Sequence, residues 1–221
     1  MSYFTNISPT DGRLITDSRS AADCSLIHPR NTGGINMITL PFRLDMMDGK
    51  GEPEFIDFRK AGPEDIDEVV ALQERIIDAL PDKDLYQDST REEYLTQLTE
   101  DVCFIAECDG KTAGFSVMVP NDPDNPRNYG KYLDYSREQL AKTVSLDLTM
   151  VDPEFRGRGI QRIFNKLRIG TAIGMGAAEG LCTISPDNPY SYRNFLVLNF
   201  EIIEQREMYG GKQRYILRKV F

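Results

Sequence analysis

The chain has a single histidine, His28, no tryptophan, and four cysteines (Cys24, Cys103, Cys108, Cys182) with no C-x-x-C pair among them. One imidazole cannot furnish a histidine-based metal site, and a Ser-His-Asp triad is improbable on the same inventory. Cys103 and Cys182 sit in apolar, strand-like segments and read as buried free thiols of a reducing compartment. The longest apolar runs fall far short of the roughly 20 residues that a membrane span needs. The start, Met1-Ser2-Tyr3, lacks the basic-then-apolar pattern of a secretory leader. Basic charge is scarce as well: 26 Lys and Arg stand against 35 Asp and Glu, a formal net charge of −9. Such a chain is a poor generic ligand for nucleic acid, whose binding depends on neutralising phosphates. These absences predict a soluble cytoplasmic protein with neither a nucleic-acid nor a membrane partner. What remains, 40% hydrophobic residues in a chain of 221, suffices for a real core in one α/β domain with additions, or in two small domains.

Turn chemistry dominates residues 1–53 (Pro9 to Gly12, Pro29 to Gly34, Asp48 to Gly51), where only 35–44 has strand character. This stretch reads as an irregular N-terminal extension, and regular structure is expected over 54–221. Glu54–Arg59 is a strand. Pro63, followed by Glu64 and Asp65, opens a helix whose apolar face runs through Ile66, Val69, Val70 and Leu72 to Leu80, where Pro81 ends it. Thr90 and Glu93 have capping-box spacing for a second helix reaching about Leu98. Cys103–Glu107 and Thr112–Val119 flank Asp109-Gly110, a hairpin signal. A long connection then carries Tyr129, Tyr132 and Tyr135 at spacing three. Such a loop is often a lid or binding loop, and equally these tyrosines suit the packing of a short surface helix.

The most informative stretch is 144–161. Val144, Leu146, Leu148 and Met150 alternate with Ser145, Asp147 and Thr149, a strand period. Asp152-Pro153 stops it, and Arg156-Gly157-Arg158-Gly159 follows as a basic turn. From Ile160 the period is helical, through Ile163, Phe164 and Leu167. A strand, a glycine turn and a helix N-terminus form an anion site, because unpaired N–H groups and the positive end of the helix dipole face the turn. An ordinary strand-to-helix turn with solvated arginines has the same short pattern. The helix carries Gly170, Gly174 and Gly176, each an interior cost of roughly 1 kcal/mol that close packing on a sheet would offset. Leu181–Ser185 is a strand, Tyr190–Leu198 a short helix after Pro186 and Pro189, and Glu201–Glu207 and Arg214–Val220 are strands around Gly210-Gly211.

The order β-α-α-β-β-β-α-β-α-β-β from residue 54, with its glycine turn after the fourth strand, resembles the GNAT superfamily of N-acetyltransferases. That family's R-x-x-G-x-G/A signature, preceded by V-x-P, is matched from Val151 through Arg156 to Ile160, with Gln161 in place of the last small residue. A second family pattern, N-x-x-A/S-x-x-x-Y-x-x-x-G-F, is met by Asn188, Ser191 and Phe200. Phe195 stands at its tyrosine position and Asn199 at its glycine position. The resemblance implies the acyl-CoA N-acyltransferase fold: α/β, with a mixed, mostly antiparallel central sheet of about seven strands flanked by helices. It implies acetyl-CoA, or another acyl-CoA, as cofactor. The backbone of Thr149, Met150 and Val151 would pair with pantetheine. Arg156, Gly157, Arg158, Gly159, Ile160 and Gln161 would hold pyrophosphate, and Asn188 and Ser191 would hydrogen-bond the pantetheine or phosphate end. Proteins of this kind commonly dimerise.

The implied reaction is direct attack, in a ternary complex, of a small-molecule or peptidyl primary amine on the thioester. It calls for a base, an oxyanion donor and an acid for the departing thiolate. The N–H of Met150 or Val151 is the candidate donor. Asp147 is the candidate base, since its polar row Ser145, Asp147, Thr149 suits a wet cleft. It could equally pair with a neighbour or orient an acceptor cation. The usual acid is missing at Phe195, and Tyr190 and Tyr192 fall on other faces of that helix, which leaves Tyr129, Tyr132 or Tyr135 to reach in. A catalytically weak or inactive acyl-CoA-binding sensor or interaction module is the alternative to an N-acetyltransferase. Acidity favours a cationic acceptor, and it is equally the common way for a chain to stay soluble.

Overall fold

The computed structural model describes residues 40–47, 51, 53–80 and 88–221. The described residues belong to one compact unit; residues 1–39, with Cys24, His28 and the first part of the stretch read with strand character, lie outside them. Its eight strands are β1 (Phe42–Met47), β2 (Pro53–Lys60), β3 (Val102–Cys108), β4 (Lys111–Val119), β5 (Thr143–Val151), β6 (Glu179–Ile184), β7 (Glu201–Met208) and β8 (Lys212–Val220). They lie in the order β1-β2-β3-β4-β5-β6-β8-β7, all antiparallel except the pair β5–β6. The helices are α1 (Ile66–Asp78), α2 (Arg91–Glu100), α3 (Arg137–Leu140), α4 (Ile160–Gly174) and α5 (Pro189–Leu196). The mixed sheet flanked by helices agrees with the sequence expectation. The eighth strand is β1, inside the segment read as irregular. There Arg43 and Asp45 are exposed while Phe42, Leu44 and Met46 are half-buried, and Phe42 stacks on Phe58 at 5.1 Å.

Local chemistry explains several element ends. Thr90 Oγ1 accepts from Glu93 N at 3.2 Å and Glu93 Oε2 accepts from Thr90 N at 2.7 Å, the capping box that starts α2. Asp109 (φ 49°) and Gly110 (φ 77°) are both left-handed, the conformation a two-residue hairpin turn demands. α4 ends at Gly174, and Gly176 (φ 76°) lies beyond it as a left-handed stop.

The two faces of the sheet are covered separately. α1 and α2 bury Val69, Leu72, Ile76, Tyr94 and Leu98 with Phe115, Val117 and Met150. α4 covers the other face, its N-terminal half packed on Phe58, Phe104 and Ala113 and its C-terminal half beside Val144, Leu146 and Cys182. Cys103, Cys108 and Cys182 are buried free thiols.

The close approach of α4 to the sheet is allowed by a glycine of the sheet rather than by Gly170 of the helix. A Cβ on Gly114 of β4 would sit 2.9 Å from Met150 O and 2.9 Å from Phe164 Cε2, whereas one on Gly170 meets nothing within 4 Å. Gly114→Ala is therefore expected to lower the unfolding free energy by about 1–3 kcal/mol in urea denaturation. Gly170→Ala should raise it by about 1 kcal/mol. Equal effects at the two positions would contradict this packing.

Candidate functional site

β5 and β6 pair only at Thr143–Glu179, Val144–Gly180 and Ser145–Leu181, so the sheet forks beyond Ser145. β5 itself is irregular at the fork. Opposite it, β4 pairs Ser116 with Thr149 but Met118 with Leu146, so β5 carries one extra residue, a β-bulge. In unbroken register Val117 and Leu148 would exchange ladder hydrogen bonds. Instead Arg168, fully buried on α4, inserts there: Nη1 donates to Val117 O and Leu148 O, both at 3.0 Å. Its Nη2 donates to Thr149 Oγ1 at 2.7 Å and to Asn165 Oδ1. No carboxylate stands within ion-pair distance of Arg168 among the described residues. Burial holds its pKa down to about 10, so it remains charged at neutral pH.

The bulge breaks the single polar row read from the sequence. Ser145 Oγ accepts from Tyr129 N at 2.8 Å and Asp147 bonds Tyr129 and Arg127, whereas Thr149 turns to Arg168 on the α4 face. The apolar row breaks at the same point. Val144 and Leu146 belong to the α4 cluster, Leu148 and Met150 to the α1–α2 cluster.

Ladder alternation also separates the backbone donors. Asp152 N bonds Ala113 O at 3.0 Å, so Met150, two residues back and opposite Phe115, faces β4. The N–H groups of Thr149 and Val151 then point toward the fork. Of the two oxyanion donors expected from sequence, Val151 is the one left open.

The glycine turn stands at the α4 end of the fork. Gly157 (φ 81°) and Gly159 (φ 82°) are both left-handed, and a Cβ on either would meet nothing within 4 Å, so the space above them is open. The N–H groups at the start of α4 precede its helical ladder and are free to face a ligand. Arg156 is exposed with no partner among the described residues. Arg158 is engaged elsewhere: its guanidinium pairs with Glu54 and lies 4.6 Å from the Phe155 ring centroid. Gln161 turns toward α5. Its Nε2 donates to Ser191 Oγ at 3.0 Å and its Oε1 accepts from Asn194 at 2.9 Å. Asn188 caps α5 by accepting from Ser191 N at 3.0 Å. The residues of both sequence patterns thus meet at the starts of α4 and α5.

Asp147 faces a cleft of about 570 Å³ on the α2 side. Tyr129 Oη donates to its Oδ1, and Arg127 Nη1 approaches its Oδ2 at 3.4 Å. Arg127 also pairs at 2.5 Å with Asp101, whose carboxylate is fully buried. The hydroxyls continue across the fork: Tyr209 donates to Tyr129 at 3.4 Å and meets Thr183 of β6 at 3.0 Å. By register Thr183 is the residue that would face Asp147 if β5 and β6 stayed paired. Burial, chiefly, raises the pKa of both Tyr129 and Tyr209, so both hydroxyls keep their protons. Of the three insertion tyrosines, Tyr129 reaches Asp147, whereas Tyr132 and Tyr135 pack near it. Phe195 is buried edge-on to Phe200 at 5.0 Å, Tyr192 packs on Tyr215, and Tyr190 is 85% exposed. Asn199 takes the left-handed conformation (φ 61°) at the position where the family pattern has glycine.

Four residues here were not singled out from the sequence: Arg127, Asp101, Tyr209 and Arg168. Only Arg168 left a trace there, as a charge on the apolar stripe one residue after Leu167.

No protein-family model matches the sequence, and no curated protein matches it either. Solved structures do. A GNAT-family acetyltransferase from Streptococcus pneumoniae superposes with a TM-score of 0.56 at 18% identity, covering 75% of this chain and 98% of that one. The yncA structure from Salmonella typhimurium, with its cofactor acetyl-CoA, gives 0.55 at 15% identity, covering 75% and 93%. The ribosomal-protein-S18-alanine N-acetyltransferase from Escherichia coli gives 0.56 at 15% identity over the same shares. The chain therefore has the GNAT fold, an α/β architecture with an eight-stranded sheet. No helix among the described residues is long and apolar enough to cross a membrane.

Two outcomes test this geometry. Arg168→Met leaves two buried carbonyls without a donor and should cost about 2–4 kcal/mol in urea denaturation; an unchanged midpoint would contradict its bridging role. Burial raises the Asp101 pKa to about 6 from an ordinary 3.8, against the opposing pull of Arg127. Proton uptake therefore favours the fold, and this carboxylate lowers stability as pH rises from 3.8 to 6. Relative to the wild type, Asp101→Asn should gain stability across that window and hold the gain above it. A difference independent of pH would refute the shift.

Proposed function

We propose that this protein transfers an acetyl group from acetyl-CoA, or another acyl group from its CoA thioester, to a primary amine of a small molecule or peptide. The observation that carries this reading is the fork between β5 and β6, with an open glycine turn at one end and Asp147 facing a cleft beyond it. The residues fit a CoA. The turn has two left-handed glycines with clear space above them, unpaired N–H groups and an exposed Arg156, features that suit a pyrophosphate.

Acetyl-CoA supplies an acyl group already activated as a thioester. Residues Arg156 to Gln161 hold its pyrophosphate, mainly through backbone N–H groups because Arg158 is committed to Glu54. Asn188 and Ser191 border the pantetheine, and Gln161 keeps Ser191 oriented. Thr149 and Val151 offer free N–H groups to the pantetheine amides and to the carbonyl oxygen as it gains negative charge, while Met150 anchors the strand between them. Asp147 accepts the proton that the ammonium must lose before it attacks. Tyr209, protonated and in line with Tyr129, supplies the proton to the departing thiolate that Phe195 cannot supply.

A thiol-release assay over a panel of amines tests this assignment. Wild type should turn over, and Asp147→Asn should lower kcat about a hundredfold to ten-thousandfold. Tyr209→Phe should lower kcat about tenfold with little change in KM. An unaffected Asp147→Asn would remove the base from the account.

A further inference from the structure

We infer that the acceptor is a compact amine bearing a second cationic group, a diamine or linear polyamine, whose far end is held by the α2 wall of the cleft. This inference rests on the acyl-transfer reading of the same site. The cleft that begins at Asp147 is walled on its other side by Asp88, Glu92, Glu93 and Gln97, just before and along α2. The hydrogen-bonding capacity left open there is mainly that of acceptors. Asp88 and Glu92 have no side-chain partner among the described residues. Gln97 is only 7% exposed, and its Oε1 has no donor. Arg127, the one cation among the described residues of the cleft, is already spanned between Asp101 and Asp147. Among the described residues no lysine lines the cleft.

A monoamine seated at Asp147 would leave Gln97 Oε1 buried and unpaired and would make no use of the exposed carboxylates of Asp88 and Glu92. An amine with a carboxylate at its far end would set like charges against Glu92. A second ammonium resolves both, because it brings only donors and positive charge. Opposite charge across a cleft acts on selection among partners as well as on encounter.

Butylamine, putrescine and γ-aminobutyrate share one chain length and differ at the far end: methyl, ammonium and carboxylate. In the thiol-release assay putrescine should exceed butylamine in kcat/KM by about a hundredfold, with γ-aminobutyrate the poorest. Glu92→Gln should narrow the putrescine-to-butylamine ratio about tenfold, and added salt should narrow it further. Equal use of putrescine and butylamine, or a ratio unmoved by Glu92→Gln, would overturn the inference. Calorimetric titration with CoA separates its failure from failure of the acyl-transfer reading. If CoA does not bind and no amine is acetylated, that reading falls. Titration of putrescine into the protein then decides the cleft alone: binding weakened by Glu92→Gln upholds the cation site, and no heat refutes it.

Discussion

Arg168 is a full positive charge placed in the interior with oxygen dipoles in place of a counter-ion. Isolating a charge from water is costly unless its donors find acceptors; here a defect in the sheet supplies those of Nη1, Thr149 and Asn165 supply those of Nη2, and Nε is left without one. The bulge in β5 exposes the carbonyls of Val117 and Leu148, and one guanidinium nitrogen takes both. The two features depend on one another: without the arginine two buried carbonyls are orphaned, and without the bulge the guanidinium has too few acceptors. The bulge in turn decides which way Asp147 and Thr149 face. Hence the placement of the site depends on this one buried contact.

The fork extends that arrangement. Among the described strands β5 and β6 are the only parallel neighbours, and they stay paired for three residues, so backbone groups that a longer ladder would consume remain open. Tyr129, Tyr209 and Thr183 tie the separated strands by hydroxyls rather than by main chain. The long insertion is fixed to β5 by Asn128 and Ser145, which makes Tyr129 a built part of the site. Charge is segregated as well. At the glycine turn Glu54 is consumed by Arg158, and among the described residues of the α2 cleft the one cation, Arg127, is consumed by Asp101.

The sequence was legible where local rules govern. The capping box at Thr90, the hairpin at Asp109-Gly110, the strand–turn–helix around Arg156 and the order of elements all stand where periodicity and turn chemistry put them. β1 (Phe42–Met47) was legible only in part, through the strand character of 35–44, because an edge strand exposed on one face and set among turn residues carries too little signal to fix its bounds. The single polar row through Ser145, Asp147 and Thr149 was misread, since strict alternation cannot register an extra residue. Gly170 of α4 was credited with a close approach that belongs to Gly114, a tertiary fact with no local mark. Arg127, Asp101 and Tyr209 were not legible at all: they reach Asp147 from three separate segments, and no spacing in one dimension announces that.

The central claim is that CoA lies along the fork against the free side of β5 and over the turn at the start of α4. An amide-resolved NMR titration with CoA tests it most directly. The account expects saturable shifts concentrated at Thr149, Val151, residues 157–161, Asn188 and Ser191, with Met150 moved less than its two neighbours because its N–H belongs to β4. Shifts centred elsewhere, or none at saturating CoA, would contradict it.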